Sequence, residues 1–188
     1  LVMALTLDKA LTKLVVRAAA IPTPDFAVVS RIEDVDDVKL AFPVFAKPVA
    51  EGTGKGVTPA SKVLDATRLN RTCADLLDRF RQPVLLESFL PGREFTVGLI
   101  GTGDEAEVLG TMEIVLLPAA EPEVYSYVNK ERSEELVQYH LADPANDEAA
   151  RDAEVVALAA WRALQCRDAG RVDVRCDAAG RPSFLEVN

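Results

Sequence analysis

Asp173, Glu186 and Asn188 are the residues of this chain whose types and spacing could do the most specific chemistry. They fall in "GRVDVRCDAAGRPSFLEVN", residues 170–188, which reads as two β-like runs joined by the turn "DAAGR". A half-buried strand sends successive side chains to opposite faces, so Val172, Val174 and Cys176 are predicted on one face and Arg171, Asp173, Arg175 and Asp177 on the other. After the turn, where Gly180 can take positive φ, the same alternation sends Leu185 and Val187 to the core and Phe184, Glu186 and Asn188 away from it. A register that joins the apolar faces places Asp173 opposite or near Glu186. Facing carboxylates on neighbouring strands repel unless a cation sits between them. Two carboxylates and an amide oxygen form an all-oxygen set suited to Mg²⁺ that also bridges phosphates. A solvated strand face with ordinary charges is the competing reading of the spacing alone.

A second group lies in "FPVFAKPVAEGTGKGV", residues 42–57. Lys47 sits mid-strand among apolar neighbours, where a free ammonium is costly, so it is expected to meet an anion. Gly52, Gly54 and Gly56 would let a loop backbone approach phosphate oxygens closely, with Lys55 adding charge. A flexible hairpin tip explains the same glycines equally well. The stretch is not a GxxxxGK[ST] phosphate loop, and no GxGxxG opens a helix.

These residues must be positioned by elements that the pattern also indicates. Residues 7–20 read as a short amphipathic helix, with Leu11, Leu14, Val15 and Ala18 as its apolar side and Lys13 and Arg17 on a solvated side. "FAVVS", "PVFAKPV" and "VTPASKV" read as strands, the last two as a hairpin around the glycine-rich loop. A helix over 65–80 uses Leu69, Leu76, Leu77 and Phe80, and the strands "PVLLESFL", "EFTVGLIG" and "EVLGTMEIVLL" follow. Residues 118–147 form a looser acidic stretch with Tyr125 and Tyr127. An alanine-rich helix over 148–166 turns Val155, Leu158, Trp161 and Leu164 inward. Strands in antiparallel pairs outnumber helices, which predicts an α+β fold of two lobes, 1–86 and 87–188.

Composition narrows the function. A chain of 188 residues with 49% apolar and 27% charged residues can bury a globular core. A formal net charge of −9 argues against a nucleic-acid or membrane-surface role, while leaving room for a local basic pocket. Cys73, Cys166 and Cys176 share no CxxC spacing and read as small buried hydrophobes in a reducing compartment. No apolar run approaches a membrane span and no signal-peptide pattern opens the chain, so a cytoplasmic location is expected. The lone histidine, His140, reads as an exposed loop residue. Leu1 is not an initiator methionine and Asn188 falls inside a predicted strand, so part of the working protein is expected to lie outside this chain.

Taken in order, "DKALTK", "AAAIPTPDFAVV", "FPVFAKPVAEGTGKGV", "LLESFLPGREFTVGLIG" and "GRVDVRCDAAGRPSFLEVN" resemble the ATP-grasp enzymes, and among them the D-alanine-D-alanine ligase family. The resemblance covers essentially all 188 residues. It implies an ATP-grasp fold in which two α+β lobes with antiparallel sheets sandwich the nucleotide. By position, Lys9 and Lys47 match the lysines that hold ATP phosphates, and Glu51, Gly52, Thr53, Gly54 and Gly56 match the loop that closes over them. Glu87 through Leu90, including Phe89, match the adenine-receiving hinge, where backbone groups read the base edge, and Glu94 the carboxylate that holds the ribose hydroxyls. Arg171 matches the arginine that steadies the reacting centre, and Lys130 a phosphate-binding lysine on the loop that closes the site. Asp173, Glu186 and Asn188 match the ligands of Mg²⁺, for which Mn²⁺ is an alternative.

The resemblance further implies transfer of a phosphoryl group from ATP to a substrate carboxylate, giving an acyl phosphate that an amine then attacks. The expected partners are small-molecule amino acids, with neither nucleic acid nor membrane, and the family often forms homodimers. Two departures bear on the substrate: Gly54 stands where the ligases commonly carry a serine, and Glu131 where a tyrosine often favours D-alanine. The activity implied is that of a D-alanine-D-alanine ligase, or of a close homologue joining D-alanine to another amino or hydroxy acid, beside two alternatives, a ligase of a different amino acid or peptide and a catalytically silent nucleotide-binding module.

Overall fold

Residues 2–188 are described by a computed structural model, in which the chain builds two antiparallel sheets, each backed by one long helix. Helices α1 (Val2–Leu7) and α2 (Lys9–Ala18) come first, divided by Asp8, whose carboxylate accepts from the Leu11 N–H at 2.9 Å and so caps α2. Four strands make the first sheet in the order β1 (Phe26–Val29), β4 (Val84–Ser88), β2 (Val44–Pro48) and β3 (Lys62–Val63). Helix α3 (Ala66–Phe80), capped by Asp65, covers it with Leu69, Cys73 and Leu76 against Val29, Val44, Ala46 and Leu86. The expected hairpin around the glycine-rich loop is present, although its return strand is only two residues long.

The second sheet has the order β7 (Val137–Leu141), β6 (Glu107–Leu116), β5 (Glu94–Ile100), β8 (Ala169–Cys176) and β9 (Pro182–Val187). Helix α6 (Glu148–Ala163) lies under it, burying Ala153, Ala157, Ala160 and Trp161 against Phe95, Val97, Val172 and Val174. The close approach at this floor depends on Gly170, where a Cβ would stand 2.6 Å from the Asn188 carbonyl oxygen and 2.8 Å from the Trp161 ring. The stretch 118–147 is more ordered than its composition predicts, containing α4 (Tyr127–Glu131), α5 (Ser133–Leu136) and edge strand β7, which carries the exposed His140.

Three side-chain orientations differ from strict periodicity. Leu11 and Leu14 are half exposed, while Lys9, Lys13 and Val16 occupy the buried face of α2, because that face meets a buried carboxylate as well as an apolar floor. Val155 is 65% exposed, since the small alanines of α6 face the sheet instead. Phe184 is fully buried rather than turned outward. The β8–β9 register runs Val172 to Val187 and Asp173 to Glu186, then shifts so that Val174 meets Phe184. Leu185 is the extra residue of this bulge, which inverts the alternation on one side of it and lets Phe184 and Val187 both reach the core.

The two sheets are joined by a buried ionic cluster. Lys13 is fully buried, with its Nζ 2.5 Å from Glu87 Oε1, while Lys47 Nζ lies 2.7 Å from Glu87 Oε2. The Lys13 ammonium also donates to Thr23 Oγ1 at 2.9 Å and to the Phe184 carbonyl at 3.3 Å, so one side chain of α2 touches both β4 and β9. Burial alone would push the Glu87 carboxyl up, yet the two ammonium groups outweigh it and hold its pKa at about 2.

Two outcomes test this description. Phe184→Ala is expected to cost about 3–5 kcal/mol of unfolding free energy and Leu185→Ala much less, as checked by urea denaturation; the reverse order would refute the bulge. Glu87→Gln strands two buried ammonium groups and is expected to destabilise by about 3–5 kcal/mol at neutral pH. The folded pKa of Glu87, about 2, lies below the ordinary 4.5, so its contribution is complete above the latter and is lost as the pH falls towards the former. The stability gap between wild type and variant is therefore expected to close over that window, and a gap independent of pH would remove Glu87 from the cluster.

Candidate active site

Between the sheets lies a cleft of about 810 Å³ including its open mouth. Lys47 reaches it from β2, Lys9 from the first turn of α2 and Lys130 from α4. The Lys9 ammonium donates to the Glu51 carbonyl and stands 3.6 Å from Glu186 Oε2. Burial lowers its pKa, a shift opposed by Glu186 and reinforced by neighbouring Lys47. Lys47 is driven down by burial too, but attraction from Glu87 and Glu186 outweighs this and its pKa is raised. The cleft thus keeps charged ammonium groups in a water-poor setting, where they interact strongly with an anion.

The glycine-rich loop is seated between Lys130 and β2. Gly54 has φ +75°, and a Cβ there would stand 3.3 Å from the Lys130 side chain. Gly56 has φ +81° and comes so near Pro48 that a Cβ would stand 2.7 Å from its ring, which restricts this position to glycine. The Tyr127 N–H donates to the Val57 carbonyl at 3.2 Å, tying the loop to the segment that carries Lys130. Gln82, unmarked in the sequence reading, holds the root of the loop by donating to Glu51 Oε1 at 2.9 Å and accepting from the Ala50 N–H at 2.6 Å. The Glu51 carboxylate is therefore turned to Gln82.

Asp173 and Glu186 are register partners and line the same cleft, as the alternation predicts. Burial raises the Asp173 pKa, Glu186 adds to the rise, and a hydrogen bond from Thr96 Oγ1 opposes it. Glu186 goes the other way: burial would raise it, but Lys47, Lys9 and Lys130 outweigh this and lower it. Asn188 Nδ2 donates to Asp173 Oδ2 at 3.1 Å, and Arg171, half exposed at the rim, has Nε 3.7 Å from Asp173 Oδ1. The described residues include no cluster of three or more His, Cys, Asp or Glu side chains suited to a metal. A divalent cation would have to combine these two carboxylates and one amide with oxygens of a ligand, which fits Mg²⁺ bound together with phosphates.

At the other end, the residues after β4 connect the first sheet to the second, and Phe89 N–H donates to the Pro43 carbonyl at 3.1 Å. Ser88, Phe89 and Leu90 line the cleft with Glu94, the first residue of β5. Burial raises the Glu94 pKa, and Arg175, which pairs with it at 3.0 Å, opposes the rise.

Of the residues that sequence reasoning selected, Lys9, Lys47, Glu51, Gly54, Glu87, Phe89, Leu90, Glu94, Lys130, Asp173 and Glu186 line this one cleft. Gly52, Thr53, Gly56, Arg171 and Asn188 stand beside it without lining it. The solvated reading of Lys13 is overturned, and the Glu87 carboxylate, 2% exposed, is held by two lysines. Arg175 was visible only as one more charge on the polar side of a strand; its position two residues after Asp173, on the same face, was the available signal.

The family profile described as "D-ala D-ala ligase C-terminus" matches residues 15–188. A D-alanine–D-alanine ligase from Actinobacillus pleuropneumoniae serotype 5b is 38% identical over 98% of this chain, which spans 58% of that protein. Among solved structures, the VanG D-Ala:D-Ser ligase from Enterococcus faecalis superposes with a TM-score of 0.76 at 26% identity, over all of this chain and 53% of that one. The D-alanine–D-alanine ligase from Bacillus anthracis complexed with ATP superposes with a TM-score of 0.74 at 24% identity, over all of this chain and 56% of that one. The chain thus spans little more than half the length of these relatives, and its two antiparallel sheets around a cleft are the ATP-grasp arrangement they share. By profile, identity and fold, this chain belongs to the D-alanine–D-alanine ligase family, as part of its C-terminal region.

Proposed function

We propose that the whole protein is an ATP- and Mg²⁺-dependent carboxylate–amine ligase and that this chain supplies its nucleotide-binding half. The observation that carries the reading is one cleft lined by four lysines, Lys9, Lys47, Lys55 and Lys130, together with a glycine loop and the facing Asp173–Glu186 pair. Lys9, Lys47 and Lys130 would neutralise phosphate oxygens, and backbone groups of Glu87 through Leu90 would read the adenine edge. Glu94 would accept from the ribose hydroxyls, and Arg171 at the rim would face the charge that develops on the substrate carboxylate. Mg²⁺ held by Asp173, Glu186 and Asn188 would neutralise phosphate charge during transfer.

Such a site works by positioning and charge neutralisation, which is what phosphoryl transfer requires of a protein. The carboxylate gains a leaving group when it takes the phosphoryl group, and an amine then displaces phosphate. D-alanine is the first candidate substrate, with a second amino or hydroxy acid left open by Gly54 and Glu131, in a cytoplasmic enzyme of cell-wall synthesis. No helix among the described residues is long and apolar enough to cross a membrane.

The test is ADP release by the full-length protein in Mg-ATP, with D-alanine or with a pool of other amino and hydroxy acids. ADP is expected only when an acceptor is present, together with a ligated product. Glu186→Gln is expected to lower kcat by about 100-fold or more while the ATP dissociation constant changes only a few-fold. Near-native turnover in that variant would exclude Glu186 from the metal site, and ATP binding without turnover on any acceptor would overturn the ligase reading.

A further inference from the structure

We propose that Arg175 is a positioning residue that aligns Glu94 for a ribonucleotide and ties the start of the Lys130-bearing segment to the same point. The inference deepens the nucleotide reading above and rests on it. Arg175 lines the cleft with a side chain only 15% exposed. Its Nη1 donates to Glu94 Oε2 at 3.0 Å, and its Nη2 donates to the Glu123 carbonyl at 2.8 Å. Its guanidinium stands 5.4 Å from the Phe89 ring, in the hinge. Its Nε is buried without a hydrogen-bond partner, an orphan donor in a cleft built for a polar ligand.

Glu123 receives a second cation. Lys62 Nζ contacts Glu123 Oε1 at 2.6 Å and stands 4.5 Å from the Phe89 ring, so Glu123 and Phe89 are both shared by Lys62 and Arg175. Glu123 has φ +63°, a backbone strain that an L side chain adopts only where its surroundings hold it. From this point the chain runs to Tyr125, whose ring lies 4.8 Å from Lys130 Nζ and whose hydroxyl meets Tyr139 at 2.6 Å. One guanidinium therefore joins the carboxylate at the nucleoside end to the segment that delivers a lysine to the phosphate end.

The physical role follows from geometry. With Oε2 of Glu94 occupied by a fixed planar donor, Oε1 is left to accept from a sugar hydroxyl in one orientation. A carboxylate without that brace would rotate, and the distinction between a sugar with two hydroxyls and one with a single hydroxyl would weaken. Lysine could keep the charge but not the two-pronged contact to Glu94 and Glu123.

The experiment measures dissociation constants of Mg-ATP and Mg-2′-deoxy-ATP by titration calorimetry with the full-length protein and with Arg175→Met and Arg175→Lys, each checked for a cooperative thermal melt. Wild type is expected to prefer ATP. Arg175→Met is expected to weaken ATP by about 10- to 100-fold and 2′-deoxy-ATP by less, so that the preference collapses, with Arg175→Lys between the two. If Arg175→Met does not fold, the ATP to 2′-deoxy-ATP ratio of Arg175→Lys decides alone. An unchanged ratio, or equal weakening of both nucleotides, would overturn the role of Arg175 while leaving nucleotide binding intact. Absence of ATP binding by wild type would overturn both readings.

Discussion

The structure depends on one buried ammonium group. Lys13 occupies the centre of the joint between the sheets, where it meets the Glu87 carboxylate on β4 and the Phe184 carbonyl on β9. A charge in that position is tolerable only while its partners stay in place, because desolvation of an unpaired ion costs several kcal/mol. The cluster acts as a geometric constraint more than as a source of net stability. It fixes the height of α2, and with it Lys9 one turn earlier, and it holds Lys47 in the wall of the cleft through the second oxygen of Glu87.

From that joint the cleft acquires an ordered charge layout. Lysines from α2, β2 and α4 converge, and the Asp173–Glu186 pair is set opposite them by the β8–β9 register. The bulge at Leu185 separates two demands on one strand. Phe184 and Val187 fill the floor over α6, and Leu185 and Glu186 face the cleft. A regular strand could not meet both, since its alternation would expose Phe184. Gly170 contributes from the other strand by letting β9 and Trp161 approach.

The same layout explains why the glycine loop and the Lys130 segment touch. Gly54 and Gly56 both take positive φ, Gly56 lies too close to Pro48 for a side chain, and Gly54 lies against Lys130, so the loop is the seat on which Lys130 rests. Arg175 and Lys62 hold the beginning of that segment at Glu123, so the Glu94 end of the cleft and Lys130 are connected through 123–130. The three cysteines take no part: all are buried, and burial pushes their thiol pKa values up.

Local information in the sequence was sufficient for much of this. Alternation identified β8 and β9 and placed Asp173 beside Glu186, helical spacing located α3, and the ordered motifs carried the fold and most of the cleft residues. Such features follow from neighbours along the chain, whose periodicity needs no knowledge of what lies across the fold. What only the tertiary structure decided was partnership. Lys13 looks like any solvated helical lysine until a carboxylate 74 positions away meets it, and Phe184 looks outward until a bulge turns it. Arg175 is one charge among several until Glu94, Phe89 and Glu123 surround it. The physical reason is that a charge or a ring takes its meaning from the groups that replace its water, and those groups come from distant parts of the chain.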